Sequence, residues 1–361
     1  MELDERGLRR ARVRSQLLSG PPARRVEDVV RAVVGVQSQD RVAAALALRV
    51  RRRATTMAEV ARSWGAAGPL VLTWTLRGTR HLHHVDDVRW LLTVLGPVFA
   101  AGSPARSRQL GIDGEAGDRA VRAVRDSLRR RGPLTRPQVK ALLARRGIDP
   151  SSQAPIHVIR RAALEGALCV VPTPDGEETY VGLDDRVPPA RRREPREALA
   201  ELARRFVDGY GPATPADLAA WSGLPRRTAD AAWSSIADEL SEVAVPGGVA
   251  SLGSGRARSM WAAAGRPSSP RLLPAFDPLL LGYADRTPFV PAARGQAVNA
   301  GGGMIRPTAL ADEGVVGTWS MRREAGDVRV DVAPFDRMDP ETGREIEREA
   351  AAVSRFVRRG S

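Results

Sequence analysis

The polar grouping that best combines chemistry with a fixed place in the chain is Val34-Gly35-Val36-Gln37-Ser38-Gln39-Asp40, where one helix closes and another opens. A glutamine amide carries a carbonyl acceptor and N–H donors but does not ionise. Two of them can orient a water or touch a developing cation; neither can be a true base. Standing alone, the ordinary reading is that Gln37 is a capping partner and Gln39 a solvated polar residue. Other clusters carry less. His81-x-His83-His84 would put His81 and His83 on one face of a strand, yet no nearby Cys or second ligand pair completes a metal site. Asp277 and Asp285 could form a carboxylate pair for glycosidic chemistry, although the apolar residues around Asp277 point to a structural hydrogen bond. Cys169 is the only cysteine, between Leu168 and Val170, and reads as a buried structural thiol. Gly301-Gly302-Gly303 lacks the Lys-Ser/Thr of a phosphate loop, and neither Gly-x-Ser-x-Gly nor His-Glu-x-x-His occurs.

The elements that must hold these residues are mostly short helices, each group closed by a strand pair. Arg119–Arg131 has apolar residues at helical spacing and is broken by Gly132-Pro133-Leu134. Thr135, with Gln138 three residues on, predicts a capping box that opens a helix over Arg136–Arg146. A further helix is expected over Pro155–Glu165. A hairpin of Leu168–Val171 and Thr179–Gly182 around the turn Thr173–Glu178 should follow. The order then begins again: Gly211-Pro212-Ala213-Thr214 repeats Gly132-Pro133-Leu134-Thr135. Helices at Pro215–Trp221 and Arg226–Ala237 and strands near Leu240–Val245 and Gly248–Leu252 complete this second copy. Helix, helix, helix and two-stranded wing is a winged helix-turn-helix, and the repeat is the strongest organisational signal. The N-terminal region fits the plan less tidily, with helices at Arg25–Val36, Arg41–Val50 and Thr56–Trp64 and a strand pair in Leu70–His83. Linkers are expected at Gly102–Gly117 and Asp184–Pro195. From Arg271 onward the character is β. Strands Gly303–Leu310, Val315–Met321 and Val328–Val332 are separated by turns at Asp312–Gly314 and Glu324–Asp327, and a helix Glu341–Arg359 ends the chain.

The expected fold class is therefore α+β and mostly helical: three tandem winged helix-turn-helix units with a C-terminal β-rich element. The boundaries are residues 1–101, 117–186, 195–255 and 270–361. A chain of 361 residues suits two or three compact units.

Net charge is +14 and the isoelectric point about 11.2, a field that favours nucleic acid first, and otherwise an anionic membrane surface or acidic partners. Lys140 is the sole lysine, so 55 of the 56 basic residues are arginine. Codon bias exchanges Lys for Arg but does not create a positive excess, and the planar Arg fork suits phosphate. In a winged helix the third helix usually enters the major groove. Here that helix carries His157, Arg160 and Arg161 in one copy and Arg226 and Arg227 in the next. Arg306, Trp319, Arg322 and Arg323 set an aromatic among arginines, which suits groove contact or base stacking as well as plain hairpin packing. The N-terminus has no apolar signal region and no window is long enough to span a membrane. A reducing cytoplasm, with association to the nucleoid, is the expected compartment.

Four blocks in order resemble the AlkZ/YcaQ-type winged-helix DNA glycosylase family. Gln37-Ser38-Gln39 resembles its Gln-x-Gln catalytic motif, with Ser38 where the family usually has an apolar residue. Thr73-Trp74-Thr75-Leu76-Arg77-Gly78-Thr79-Arg80-His81-Leu82 resembles the strand segment that follows it. Leu272–Arg286, and Ile305-Arg306-Pro307-Thr308 with Val315–Trp319, are similar to its C-terminal signatures. The resemblance implies three winged helices forming a basic cradle around duplex DNA. It implies monofunctional excision of N7-alkylated purines, including bulky adducts and interstrand crosslinks, and a place in self-resistance to a genotoxin. Gln37 and Gln39 would be catalytic; Arg77, Arg80, His81, Arg286, Arg306, Trp319, Arg322 and Arg323 would meet DNA. No metal or organic cofactor is implied, and a monomer acting on double-stranded DNA is expected. The rival from another class is a winged-helix DNA-binding regulator without chemistry.

Overall fold

The computed structural model describes residues 2–172, 177–191, 193–253, 269–312, 314–324 and 327–358. The expected turns at Thr173–Glu178, Asp312–Gly314 and Glu324–Asp327 fall wholly or partly outside them, as does Arg359. The architecture is mixed helix and sheet, as the α+β expectation has it. By compactness the chain divides into two units, Met1–Ala61 with Ala200–Ser361, and Arg62–Leu199. The first unit is thus discontinuous in sequence, a division that hydrophobic periodicity does not announce.

Within Arg62–Leu199 the order is helix Gly114–Arg131, short strand Leu134–Thr135, helices Arg136–Ala144 and Ala154–Leu164, then strands Leu168–Pro172 and Glu178–Gly182. The capping box is present. Thr135 Oγ1 accepts from Gln138 N at 3.4 Å, and Gln138 Oε1 accepts from Thr135 N at 2.8 Å. The short strand pairs with the second hairpin strand, Leu134 opposite Tyr180. The first hairpin strand reaches, at Val170 opposite Leu72, the hairpin of Leu70–Trp74 and Arg80–His84. Cys169 lies in the core here with Val71, Val88, Leu92, Leu183 and Val187, and burial pushes its thiol up to about 12. A thiol that resists ionisation is no nucleophile.

The other unit repeats the order from Pro195–Tyr210, a helix that begins before the division. Helices Pro215–Ser222 and Arg226–Ser234 and paired strands Leu240–Val245 and Gly248–Gly253 follow. Ala213 exchanges two backbone hydrogen bonds with Ser251, the counterpart of the Leu134–Tyr180 pairing. Thr214 and Asp217 form the capping box, and Gly223 ends the helix at φ +77°. The C-terminal sheet is antiparallel, in the order Asp327–Pro334, Gly314–Glu324, Thr308–Ala311, Arg271–Leu273, and helix Pro340–Arg358 packs on it.

Several expectations are corrected. Much of the supposed linker Gly102–Gly117 is helical, because Ser103 caps Pro104–Gln109 and the next helix starts at Gly114. The expected strand Gly303–Leu310 is broken into Met304–Ile305 and Thr308–Ala311, with Pro307 removing the ladder donor between them. The helix expected over Arg25–Val36 is only Val26–Ala32, since Val34 (φ +59°) and Gly35 (φ +137°) turn the chain. Helices Glu5–Ser15 and Val85–Ala100 carried no expectation.

Candidate active site

The turn that shortens the first helix is what delivers the two glutamines. Gly35 takes a φ that side chains rarely tolerate, and Val36–Gln37 then runs extended. The carbonyls leaving Val26–Ala32 are tied from the helix Pro195–Tyr210. Arg205 Nη2 donates to Arg31 O at 2.7 Å, and the Tyr210 hydroxyl donates to Val33 O at 2.9 Å. A Cβ at Gly209 would collide with Ala32 O, so only glycine admits this approach. Tyr210 itself is locked in an aromatic cluster with Phe206, Trp221 and Tyr283, ring centroids 4.9–6.3 Å apart. Arg12 lies 3.9 Å from the centre of the Tyr283 ring. Four of the sixteen aromatic residues thus form a cluster around the tyrosine that holds the turn before the glutamines.

Beyond the motif, Asp40 caps helix Arg41–Arg51 by accepting from Ala43 N at 3.0 Å. The far end of that helix is pinned by a fully buried ion pair. Arg51 donates from Nη1 and Nη2 to the two Asp277 oxygens, each at 2.8 Å, and from Nη2 to Gln16 Oε1 at 2.9 Å. Asp277 also accepts from Leu279 N at 2.9 Å. Asp285, by contrast, is engaged locally with the Thr287 N–H and hydroxyl, which draw its carboxyl below the ordinary range. Both carboxylates that could suggest acid–base glycosidic chemistry therefore have structural employment.

Between these anchors Gln37 Nε2 donates to Gln39 Oε1 at 2.8 Å. Gln37 is 7% exposed and Ser38 1%, while Gln39 reaches the surface. The bond leaves the Gln39 N–H donors free of it, beside a neighbour of fixed orientation. Such an array can hold a water or a polarised sugar but cannot take a proton from either.

The other expected residues are more fully occupied than their types suggest. His81 is 2% exposed, and its Nδ1 lies 3.1 Å from Thr79 O. Burial first, then the charge of Arg77, lowers its pKa well below the ordinary value, so the ring is neutral. Arg80 pairs with Glu178 and lies 5.5 Å from the Trp74 ring centre; Arg77 is half-buried at φ +53°. In the other unit, Arg286 is half-buried and donates to Leu280 O, and Arg306 donates to Ala297 O at 3.0 Å. Arg322 pairs with Asp331 at 2.9 Å, and Arg323 is exposed. Trp319 is 5% exposed with its indole N–H on Leu273 O at 2.8 Å, so the ring serves hairpin packing and offers no stacking face. Nor do the third-helix arginines all stand ready. Arg160 donates to Gly78 O, Arg161 is held by Asp118 and Glu165, and Arg226 pairs with Asp230; Arg227 is exposed. Sequence reasoning missed Arg205 and Tyr210; their partners are backbone carbonyls of a distant segment, which leave no motif.

The family model of the DNA glycosylase AlkZ-like proteins matches residues 30–356. This chain belongs to that family. It is a DNA glycosylase, a hydrolase of N-glycosyl bonds. A curated relative, an interstrand DNA cross-link repair glycosylase of Streptomyces sahachiroi, is 28% identical over 95% of this chain and 94% of its own. The solved structure of the DNA glycosylase AlkZ from Streptomyces sahachiroi superposes with a TM-score of 0.85. That match is at 26% identity over 99% of this chain and 97% of the other. Among the described residues no helix is long and apolar enough to cross a membrane.

Proposed function

We propose that this glycosylase excises N7-alkylated purines, bulky or crosslinked, from duplex DNA, with Gln37 and Gln39 as its catalytic pair. The observation that carries the reading is the direct bond between the two amides, one buried and one exposed, on a segment braced from both sides. Alkylation at N7 puts a positive charge on the purine ring, so the base departs as a neutral group and needs no general acid. What the enzyme must add is a placed water and support for an oxocarbenium-like sugar. Preorganised dipoles aimed at developing charge do this without ionising, and removing one such donor typically costs a factor of about 10²–10³ in rate. Neutral, unmodified purines lack the charge and are left alone.

The reading includes three winged helices, residues 1–101, 117–186 and 195–255: the first two contain helix, short strand, helix, helix and strand pair, and the third runs helix, helix, helix and strand pair with an isolated bridge at Ala213 in place of the short strand. The repeated pairing of Leu134 with Tyr180 and Ala213 with Ser251 supports this for the second and third. The curated relative's name supports crosslinks as substrates. The protein acts as a monomer in the cytoplasm, at the nucleoid, and contributes self-resistance where a genotoxic alkylator is made.

The test is single-turnover excision from a duplex bearing one N7-methylguanine, read as alkali-labile strand cleavage. Gln37→Ala/Gln39→Ala should lower the rate at least 10³-fold while duplex affinity stays within about threefold. Full activity in the double variant removes the amides from the chemistry.

A further inference from the structure

At the opposite end of helix Arg41–Arg51 from the glutamines lies a cavity of about 270 Å³ walled by Arg49, Arg53, Thr56, Met57, Arg355 and Phe356, among others. We infer that this cavity is a phosphodiester-binding subsite that grips one backbone phosphate of the DNA away from the reacting sugar. It rests on duplex DNA being the substrate, and not on which residues perform the excision.

Charge argues first. Arg49, Arg53 and Arg355 line this corner and Arg271 feels the charges of Arg49 and Arg53, with Glu345, Glu349 and the Arg52-paired Glu59 as the nearby carboxylates. Glu349 is already claimed by Arg49 at 2.7 Å, and Glu345 lies 3.5 Å from Arg348. Arg53 and Arg355 are exposed and make no hydrogen bond or ion pair with any described residue. Near them Arg271 has a buried Nε without a hydrogen-bond partner among the described residues. Its pKa is drawn down to about 10, by burial first and then by the repulsion of Arg53. The corner thus holds more positive charge than its own carboxylates balance.

Shape argues second. Drug-sized ligands occupy cavities of about 300–1,000 Å³; this one is smaller and fits a single tetrahedral anion with the edge of a sugar. Ala54, Met57, Ala352 and Phe356 supply an apolar wall for that edge. Arg53 and Arg355, from different segments, line the cavity together, and each guanidinium is a planar fork suited to phosphate oxygens. Helix Arg41–Arg51 has eleven residues, so its ends are about 16 Å apart at roughly 1.5 Å per residue. A phosphate held here would fix the register of the duplex on the glutamine pair without touching the lesion.

The experiment is phosphate-ethylation interference on a duplex of defined sequence, comparing the wild-type protein with Arg53→Ala/Arg355→Ala. In the wild type, ethylation of one phosphate several nucleotides from the lesion should block binding; in the variant that same position should become silent while the other blocked positions persist. The slope of log Kd against log salt should flatten by about 0.9, the share of one phosphate. Arg53→Lys/Arg355→Lys should keep most of the slope and relax the interference, which a purely structural role would not produce. An unchanged interference pattern and slope in the alanine variant overturn this subsite alone. Absence of any duplex binding by the wild type overturns it together with the substrate assignment.

Discussion

Replacing Asp277 by Asn separates structural from catalytic carboxylate chemistry in one variant. The side chain is 0% exposed, as is that of Arg51, and it accepts from Arg51 Nη1, Arg51 Nη2 and Leu279 N at 2.8–2.9 Å. Asn keeps one acceptor but loses the charge, leaving a buried guanidinium whose partners, that amide oxygen, Gln16 Oε1 and Ala47 O, are all neutral. Breaking a buried pair from one side costs about 3–5 kcal/mol. For a cooperative unit of this size, each kcal/mol lowers Tm by roughly 2–4 °C, so a fall of about 6–20 °C is expected. Asp285→Asn, in its exposed local turn, should fall by no more than about 2 °C. Arg51→Met/Asp277→Leu removes both charges and should regain most of the lost stability, because a packed apolar pair is often as good as a buried ionic one. The assays are thermal melts with excision measured at a temperature where every variant is folded. Asp277→Asn should then excise within about threefold of wild type. A loss below about 1 kcal/mol refutes the structural role. A 10³-fold loss of rate in the folded variant would make Asp277 a catalytic carboxylate and displace the amide mechanism.

Three further outcomes follow from the same geometry. His81 is buried neutral, with its folded pKa below the unfolded value of about 6.5. The unfolded chain therefore takes up a proton that the fold does not. Stability is complete above pH 6.5 and falls as pH drops below it, by up to about 1.4 kcal/mol per pH unit; urea melts of His81→Gln at pH 5 and 7.5 should show a smaller difference than wild type. Ser38 is 1% exposed and its hydroxyl has no hydrogen-bond partner among the described residues, so Ser38→Ala should stabilise by about 1 kcal/mol, read as an upward Tm shift with excision unchanged; a fall in Tm would mean the hydroxyl is bonded. Tyr210→Phe deletes the bond to Val33 O and should cost about 1–1.5 kcal/mol. It should also slow excision about tenfold with duplex Kd unaffected, and an unaltered rate would show that the turn holds its shape without that hydroxyl.

Local signals reached the surface of the fold well. The caps at Thr135 and Thr214 and the Gly-Pro repeat mark helix starts because they act within four residues of themselves. The strand edges at Leu240–Val245 and Gly248–Gly253 were equally legible, since a Pro-Gly-Gly turn separates two alternating runs. The glutamine pair could be chosen from the sequence through its resemblance to a family motif, but its support could not. Arg205, Tyr210 and Arg51 act on segments more than 150 residues away, or through a carboxylate 226 residues distant, and no spacing rule encodes such a partner. Trp319 shows the converse error: placed between arginines in sequence, it alternates inward on its strand, while Ser320 and Arg322 point out.

The same inward–outward distinction governs how a chain of net charge +14 can hold DNA without simply adhering to it. Arg12, Arg49, Arg51, Arg160 and Arg161 answer to internal carboxylates or carbonyls. Much of the basic excess that the composition displays is therefore spent on the fold, and only cations left without such partners can release counterions from a phosphate. Arg53 and Arg355 are of this kind, and so is Arg227. Recognition by a few fixed contacts around a neutral amide pair fits an enzyme whose substrate carries its own activating charge. The protein must hold the sugar still, and the lesion supplies the rest.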